Sequence, residues 1–83
     1  YKLIENEAEV LEIVANSQSS IIDKKIELIK FPKDAIIGAI LRNGEMIVPD
    51  QECSIQSGDS VIVVALPNSI DKIEKLFGKR RFF

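Results

Sequence analysis

The sequence AIIGAILRNGEMIV at residues 35–48 contains the strongest local signal of secondary structure in the chain. Asn43 and Gly44 both tolerate positive φ, which the two-residue type I′ hairpin turn requires. The apolar runs on either side, at 35–41 and 45–48, therefore predict two antiparallel strands. Since the first run has apolar residues on both faces, we expect it to lie inside a sheet or to be covered on both sides.

Further strands are predicted before and after this hairpin. Residues 9–14 read EVLEIV, in which Val10 and Val14 fall on one face of a strand. Residues 60–66 read SVIVVAL and predict a strand that is apolar on both faces. Residues 53–55 form at most a very short strand.

A short helix is predicted between the first strand and the hairpin. Ser20 with Asp23 three residues later resembles a capping box, and Asp23 alone is a second possible N-cap. Pro32 ends this helix, because the residue before a proline is disfavoured in the helical conformation. The apolar stripe at helical spacing consists of Ile22, Ile26 and Ile29.

A second helix is predicted after Pro67. Asn68 is its candidate N-cap, with Asp71 at the third helical position, and Gly78 is a candidate left-handed residue at its end. Its buried stripe consists of Ile70, Ile73, Leu76 and Phe77.

This order of elements predicts an α+β fold with a small, mainly antiparallel or mixed sheet of four to five strands. A short helix follows strand 1, and a helix lies at the C-terminal end. The 83 residues hold one domain. We place it at 9–78, with 1–8 as a linker from a preceding region that is missing and 79–83 as a tail. The absence of an initiator Met indicates a fragment of a longer protein.

The composition excludes several classes of function. Hydrophobic residues make up 46% of the chain and are mostly aliphatic, which favours strands and leaves apolar surface for a partner chain. Eleven basic and thirteen acidic residues give a net charge of −2, so we expect no nucleic acid partner. Cys53 is the single cysteine, which indicates a reducing compartment, and no apolar run is long enough to span a membrane.

Catalytic and metal sites are not predicted. The chain has no His, and its one Cys cannot build a zinc site. The four glycines are too scattered for a phosphate-binding loop. Two carboxylate pairs, Asp50 with Glu52 and Asp23 with Glu27, are explained by solvated positions in a loop and on a polar helix face. We therefore expect neither an enzyme nor a metal-binding protein.

One group of residues could hold a small ligand. Lys30 and Phe31, at the exit of the first helix, lie beside Ile36 and Ile37 and would suit an anionic ligand with a flat base. The alternative is a surface lysine and a core phenylalanine that anchors the helix. The residues alone leave both interpretations open.

Six segments of the chain follow the pattern of a known family. They are SSIIDKKI (19–26), IKFP (29–32), AIIGAI (35–40), RNGE (42–45), IVPD (47–50) and IQSGDSVIV (55–63). On these segments the chain, from about Glu9 to Phe77, resembles the TrkA C-terminal domain, also called the RCK C-terminal lobe. The most specific matches are the strand–Arg-Asn-Gly–strand–Val-Pro-Asp unit and the Gly-Asp turn before an aliphatic strand.

The resemblance implies a regulatory domain of a potassium or other cation transport system. Such lobes usually follow a Rossmann-like lobe in the full chain. They form homodimers and act on a membrane ion transporter or channel subunit, which implies a cytoplasmic position at the inner face of the membrane. The alternative function is a purely structural dimerisation module of a larger transporter assembly, without a ligand.

In some members of the family the dimer cleft binds a regulatory ligand, cyclic di-AMP or another nucleotide. The positions that correspond to its contacts here are Ile26, Lys30, Phe31, Ala35 and Ile36. The chain departs from the family pattern in two places. Asp23 stands where the family usually has Gly, and Lys30-Phe31-Pro32 stands where cyclic di-AMP binders often carry Asp-x-Arg-Ala.

Overall fold

The computed structural model describes residues 8–78 and confirms the predicted α+β fold. Its elements, in chain order, are strand β1 (Glu9–Val14), a 3₁₀ turn (Ile26–Leu28), strands β2 (Ala35–Arg42), β3 (Glu45–Ile47) and β4 (Ser60–Ala65), a second 3₁₀ turn (Pro67–Ser69) and helix α1 (Ile70–Leu76). The predicted linker and tail lie outside the described residues, except for Ala8. The division of the chain into linker, domain and tail therefore stays a prediction.

The four strands form one sheet in the order β1-β4-β2-β3, and each pair of neighbours is antiparallel. Between β2 and β3, Asn43 and Gly44 have φ angles of 52° and 79°. Both residues therefore adopt the left-handed conformation that a type I′ turn requires, and the predicted hairpin is confirmed.

Strand β2 contains a bulge at Gly38. Ala39 pairs with Ile62, which is one residue from the partner of Ile37, so Gly38 is the extra residue on β2. The bulge shifts the alternation of side chains along the strand. As a result Ile40, rather than Ala39, points into the core, where its side chain is completely buried.

The core lies between the inner face of the sheet and helix α1. Ile73 and Phe77 from the helix end are completely buried, as the predicted apolar stripe requires. Val61 and Val63 on the central strand β4 are equally buried. The other buried hydrophobic residues are Ile13, Ala15, Ile21, Ala35, Ile40, Ile55, Ala65 and Ile70.

The predicted first helix is wrong in extent, because the chain forms only one 3₁₀ turn of three residues there. The backbone N–H groups of Asp23 and Ile26 donate to the carbonyls of Ile55 and Cys53, each over 2.8 Å. These donors are therefore bound to the strand-like segment 53–55 and are not available to a longer helix. This pairing also accounts for the short bridge at Ser54 and Ile55.

The predicted caps of that helix are also wrong. Lys25 occupies the N-cap position and makes no side-chain cap hydrogen bond. Asp23 has a φ of 65°, so it lies in the left-handed region and not in the extended conformation of an N-cap. The left-handed geometry gives a physical reason for a glycine at this position.

The second helix begins differently from the prediction. Asn68 lies within the 3₁₀ turn Pro67–Ser69, and Ser69 occupies the N-cap of α1 without a side-chain cap bond. The predicted Asn68 cap is therefore wrong. The predicted stop is confirmed, because Gly78 has a φ of 75° and donates its N–H to the carbonyl of Lys75.

Candidate ligand cavity beside strand β2

A cavity of about 280 Å³ opens beside the first half of strand β2, and we call it the β2 cavity. Its lining residues are Ile26, Ile29, Phe31, Ala35, Ile36, Ile37, Pro49, Asp50 and Gln51. Three parts of the chain meet there: the first 3₁₀ turn with its exit, the start of β2, and the loop after β3. The walls are mainly aliphatic, with one aromatic ring and two polar side chains.

Backbone hydrogen bonds hold the two walls of the β2 cavity together. The N–H of Glu27 donates to the carbonyl of Gln51 over 3.3 Å, next to the bond from Ile26 to Cys53. The Asp50 carboxylate accepts the N–H groups of Glu52 and Cys53 over 2.9 and 3.1 Å. The position of the 3₁₀ turn is therefore fixed by the loop that follows β3.

The sheet is incomplete on this side of β2. Strand β3 pairs with β2 only at Ile40, Leu41 and Arg42, so the described chain leaves the outer edge of residues 35–39 without a strand neighbour. Ile36 keeps 63% of its surface exposed at this edge. The cavity thus lies next to unpaired backbone groups, which a ligand or a second chain can reach.

The structure brings four of the five predicted site residues together in the β2 cavity. Ile26, Phe31, Ala35 and Ile36 line it, whereas Lys30 lines a different depression with Lys72 and Lys75. The pairing of Lys30 with Phe31 that the sequence indicated is therefore not present as one site. A role for these residues in ligand binding stays a prediction.

Sequence reasoning did not assign Pro49, Asp50 and Gln51 to the ligand site. They lie more than ten residues beyond Ile36 and reach it only because the β2–β3 hairpin folds back. In the sequence, Asp50 is notable only as one member of a carboxylate pair with Glu52. In the structure Asp50 shapes the loop, and Glu52 pairs with Lys25 over 2.9 Å.

The chemistry of the β2 cavity favours a flat or apolar group. The Phe31 ring and the isoleucine side chains offer dispersion contacts, and Asp50 and Gln51 offer hydrogen bonds at the rim. No Lys or Arg is among the described residues that line it. The cavity by itself therefore supplies no cation for a phosphate group.

The outer face of the sheet is a second apolar surface, and we call it the open face. Cross-strand register places Val10, Val64 and Ile36 in one row across three strands. Val10 and Met46 remain 69% and 68% exposed, so no element within residues 8–78 covers them. Ile36 belongs to both surfaces, and the open face is thus continuous with the β2 cavity.

A partly buried ion pair between Arg42 and Asp59 holds the segment that leads into β4. Arg42 donates from Nε and Nη2 to the two carboxylate oxygens of Asp59 over 2.9 and 2.7 Å. Its Nη2 also donates to the Ser54 carbonyl over 3.0 Å, and Asp59 accepts the Gln56 N–H over 2.9 Å. Hydrogen bonding to Arg42 keeps the pKa of Asp59 below its ordinary value, although burial opposes this shift.

Within residues 8–78, no helix is long and apolar enough to cross a membrane. The same residues contain no group of three metal-ligating side chains that could hold an ion.

In a comparison with known protein families, residues 10–78 match the TrkA-C domain family. The chain is 43% identical over 70 residues to Trk system potassium uptake protein TrkA homolog 2 of Methanosarcina mazei, covering 84% of this chain. It is 35% identical over 80 residues to Trk system potassium uptake protein TrkA of Haemophilus influenzae, covering 92% of this chain. It spans only 16% and 18% of the length of these two curated relatives.

Two solved structures share the fold. An RCK domain with cda, that is cyclic di-AMP, superposes with a TM-score of 0.71 and 26% identity, over 82% of this chain and 96% of the other. Streptococcus agalactiae BusR in complex with its busAB promoter DNA superposes with a TM-score of 0.76 and 25% identity, over 89% of this chain and 38% of BusR. Because a structural relative was solved with DNA, the expectation of no nucleic acid partner stays a prediction.

Proposed function

The chain belongs to the TrkA-C domain family, and from that premise we propose that two copies pair and take up a small regulatory ligand in the cleft between them. The regulated system would be a transporter for potassium or another cation, as the names of the relatives suggest. In the full protein, a Rossmann-like lobe would precede this domain. The assembly would lie at the inner face of the membrane through its transporter partner.

The observation that carries this proposal is the continuity of the open face with the β2 cavity through Ile36. An exposed aliphatic surface of this kind is typical of a site of protein association. If a second copy packs around Ile36, two cavities related by twofold symmetry face each other across the contact. A ligand held by both copies stabilises one relative orientation and can thereby act on attached parts of the chain.

The ligand chemistry follows from the walls of the cavity. Two flat bases, one in each cavity, match the paired walls formed by Phe31 and the surrounding isoleucines. Asp50 and Gln51 can bond the polar edge of such a base. Cyclic di-AMP has two bases, and an RCK domain of the same fold was solved with it, so it is the first compound to test.

Light scattering on the 83-residue chain tests the pairing. We expect a dimer at micromolar concentration, and we expect Ile36→Glu to give a monomer of 9.3 kDa, because a carboxylate would be buried in the contact. Leu28→Glu is the matched control, since Leu28 is 66% exposed but lines neither the cavity nor the open face. A monomeric wild-type chain would contradict the proposal.

Thermal unfolding with and without cyclic di-AMP tests the ligand. Binding at about a hundredfold excess over Kd should raise the melting temperature by roughly 10 °C or more in a domain of this size. Phe31→Ala should remove most of this rise, whereas Lys30→Ala should leave it unchanged, because Lys30 lies outside the cavity. Cyclic di-GMP serves as the control compound.

The two parts of the proposal can fail separately. A stable dimer whose melting temperature responds to no cyclic dinucleotide or mononucleotide would leave a purely structural dimerisation module. That result would contradict the proposal of ligand sensing but would support the proposal that two copies form a dimer. A regulatory domain of either kind requires no turnover, and the family is typically non-catalytic.

A further inference from the structure

A second concave surface lies between the exit of the first 3₁₀ turn and helix α1, and we call it the lysine depression. It has a volume of about 380 Å³ and is lined by Ser20, Lys30, Pro32, Lys72, Lys75 and Leu76. None of these residues lines the β2 cavity. The lysine depression is therefore separate from the site of the proposed function.

The fold brings Lys30 together with two neighbouring lysines of helix α1. Lys72 and Lys75 lie three residues apart on α1, so their side chains project from the same side of the helix. The buried side chains of Ile73 and Phe77 fix the rotation of α1 against the core. Lys30 reaches the same depression from a segment more than forty residues earlier in the chain.

The charge of the lysine depression is opposite in sign to the net charge of the described chain. Residues 8–78 contain seven Lys and Arg against eleven Asp and Glu, a net charge of −4. Three of the seven cations line this depression, and no carboxylate is among its lining residues. Asp71 lies four residues before Lys75 on the helix but does not line it.

The three ammonium groups lack carboxylate partners within the described chain. Its salt bridges are Lys25 with Glu52 and Arg42 with Asp59, and neither includes a lysine of the depression. Like charges held on one concave surface repel one another, and a bound anion relieves that repulsion. In the sequence, the basic residues Lys79, Arg80 and Arg81 follow Gly78.

We propose that the lysine depression binds a phosphate-bearing ligand. The three ammonium groups would neutralise the phosphate charge, and the Ser20 hydroxyl can donate a hydrogen bond. Pro32 and Leu76 offer apolar contact to the carbon part of the ligand. A free phosphorylated small molecule and a phospholipid headgroup share this chemistry, so the experiment needs one arm for each source.

The first arm is a calorimetric titration of the 83-residue chain with inorganic triphosphate at low ionic strength. We expect binding that weakens as salt is added. Lys72→Gln combined with Lys75→Gln should reduce the affinity about tenfold, since each lysine supplies a separate charge contact. Lys24→Gln combined with Lys33→Gln is the matched control, because these exposed lysines lie outside the depression, and it should leave the affinity within about twofold.

The second arm uses vesicles with and without phosphatidylglycerol, with the same variants in a sedimentation assay. Retention on anionic vesicles that depends on Lys72 and Lys75 would assign the site to a lipid headgroup. Triphosphate binding without such retention would assign it to a free ligand. Either result supports the proposal.

A further variant separates the depression from the basic run at residues 79–81. Replacing Lys79, Arg80 and Arg81 with Gln should leave triphosphate binding dependent on Lys72 and Lys75. The proposal would be overturned if triphosphate binding were lost when residues 79–81 are replaced but were unchanged by the substitutions at Lys72 and Lys75. Absence of binding to both triphosphate and anionic vesicles would also overturn it.

Discussion

At the residue scale, Arg42 and Asp59 form a two-pronged, charge-assisted contact. The guanidinium meets the carboxylate through two parallel hydrogen bonds, and the Asp59 side chain is only 2% exposed. The same carboxylate accepts the backbone N–H of Gln56, and the same guanidinium donates to the Ser54 carbonyl. One ion pair thus anchors the turn that leads from the cavity side of the domain into β4.

Removal of the Asp59 charge should destabilise the domain. We expect Asp59→Asn to lower the free energy of unfolding at pH 7 by about 3 kcal/mol, because Arg42 loses its buried partner. Urea unfolding at fixed protein concentration measures the change. Glu45→Gln is the control, since exposed Glu45 is the cross-strand neighbour of Arg42, and it should change the value by less than about 0.5 kcal/mol.

The same carboxylate should make stability depend on acid pH. The folded state lowers the pKa of Asp59, so its contribution is complete above the ordinary carboxylate pKa of about 4 and is lost as the pH falls through the folded value. Urea midpoints of the wild type between neutral pH and pH 3 should therefore fall more steeply than those of Asp59→Asn. Parallel curves for the two proteins would contradict this assignment.

A substitution at Asp23 should stabilise the domain, in contrast to Asp59→Asn. Asp23 adopts a φ of 65°, which costs an L-residue conformational energy that glycine does not pay. We expect Asp23→Gly to raise the free energy of unfolding by roughly 0.5–1 kcal/mol. Asp34→Gly is the control, because Asp34 is not among the residues with positive φ, and there glycine should destabilise the fold.

At the element scale, strand β2 connects the sheet to the candidate site. Its bounds could be predicted within one residue, because an aliphatic run and the Asn43-Gly44 turn are local signals. The bulge at Gly38 could not, because it depends on the register against β4. The bulge decides which side chains of β2 reach the core and which remain at the open face.

The first helix shows where local patterns fail. Ile22, Ile26 and Ile29 have helical spacing, yet backbone bonds to segment 53–55 keep this part of the chain in a single 3₁₀ turn. The same tertiary contacts bring Asp50 and Gln51 to the β2 cavity. Contacts between distant segments are absent from a local pattern, which explains both the wrong helix extent and the missed site residues.

The bulge itself should tolerate a side chain. A Cβ at Gly38 would lie 3.8 Å from the Ile62 carbonyl oxygen, an ordinary contact, and Gly38 does not have a positive φ. We expect Gly38→Ala to keep the fold and to raise the free energy of unfolding by roughly 0.4–1 kcal/mol, because alanine reduces the freedom of the unfolded chain. Urea unfolding measures this effect, and a loss above about 1 kcal/mol would show that the bulge requires glycine.

At the scale of the whole molecule, the described surface carries three candidate sites of interaction. The open face and the β2 cavity are continuous, whereas the lysine depression lies apart from them. The sequence indicated the aliphatic excess and four of the nine residues that line the cavity, whereas Lys30, which it grouped with them, lines the lysine depression. Only the fold shows that this cation lies with Lys72 and Lys75.

Association through the open face should make thermal stability depend on concentration. We expect the melting temperature of the wild type to rise as the protein is concentrated from about 1 to 100 µM, because dimer formation favours the folded state by mass action. Val10→Glu should weaken this dependence, since Val10 lies in the same row as Ile36. Gln18→Glu, in an exposed loop, is the control and should keep it.

The position of β1 has a consequence for synthesis of the protein. Among residues 8–78, strand β1 pairs only with β4, and its residues Val14 and Glu9 meet Ser60 and Ala65, partners 46 and 56 positions later in the chain. In a nascent chain, β1 therefore remains unpaired with β4 until the ribosome has made β4, although the β2–β3 hairpin can close much earlier. During that interval the unpaired, Val- and Ile-containing strand β1 can pair wrongly with other nascent copies. A folding chaperone would have to bind the chain at this stage to prevent such pairing.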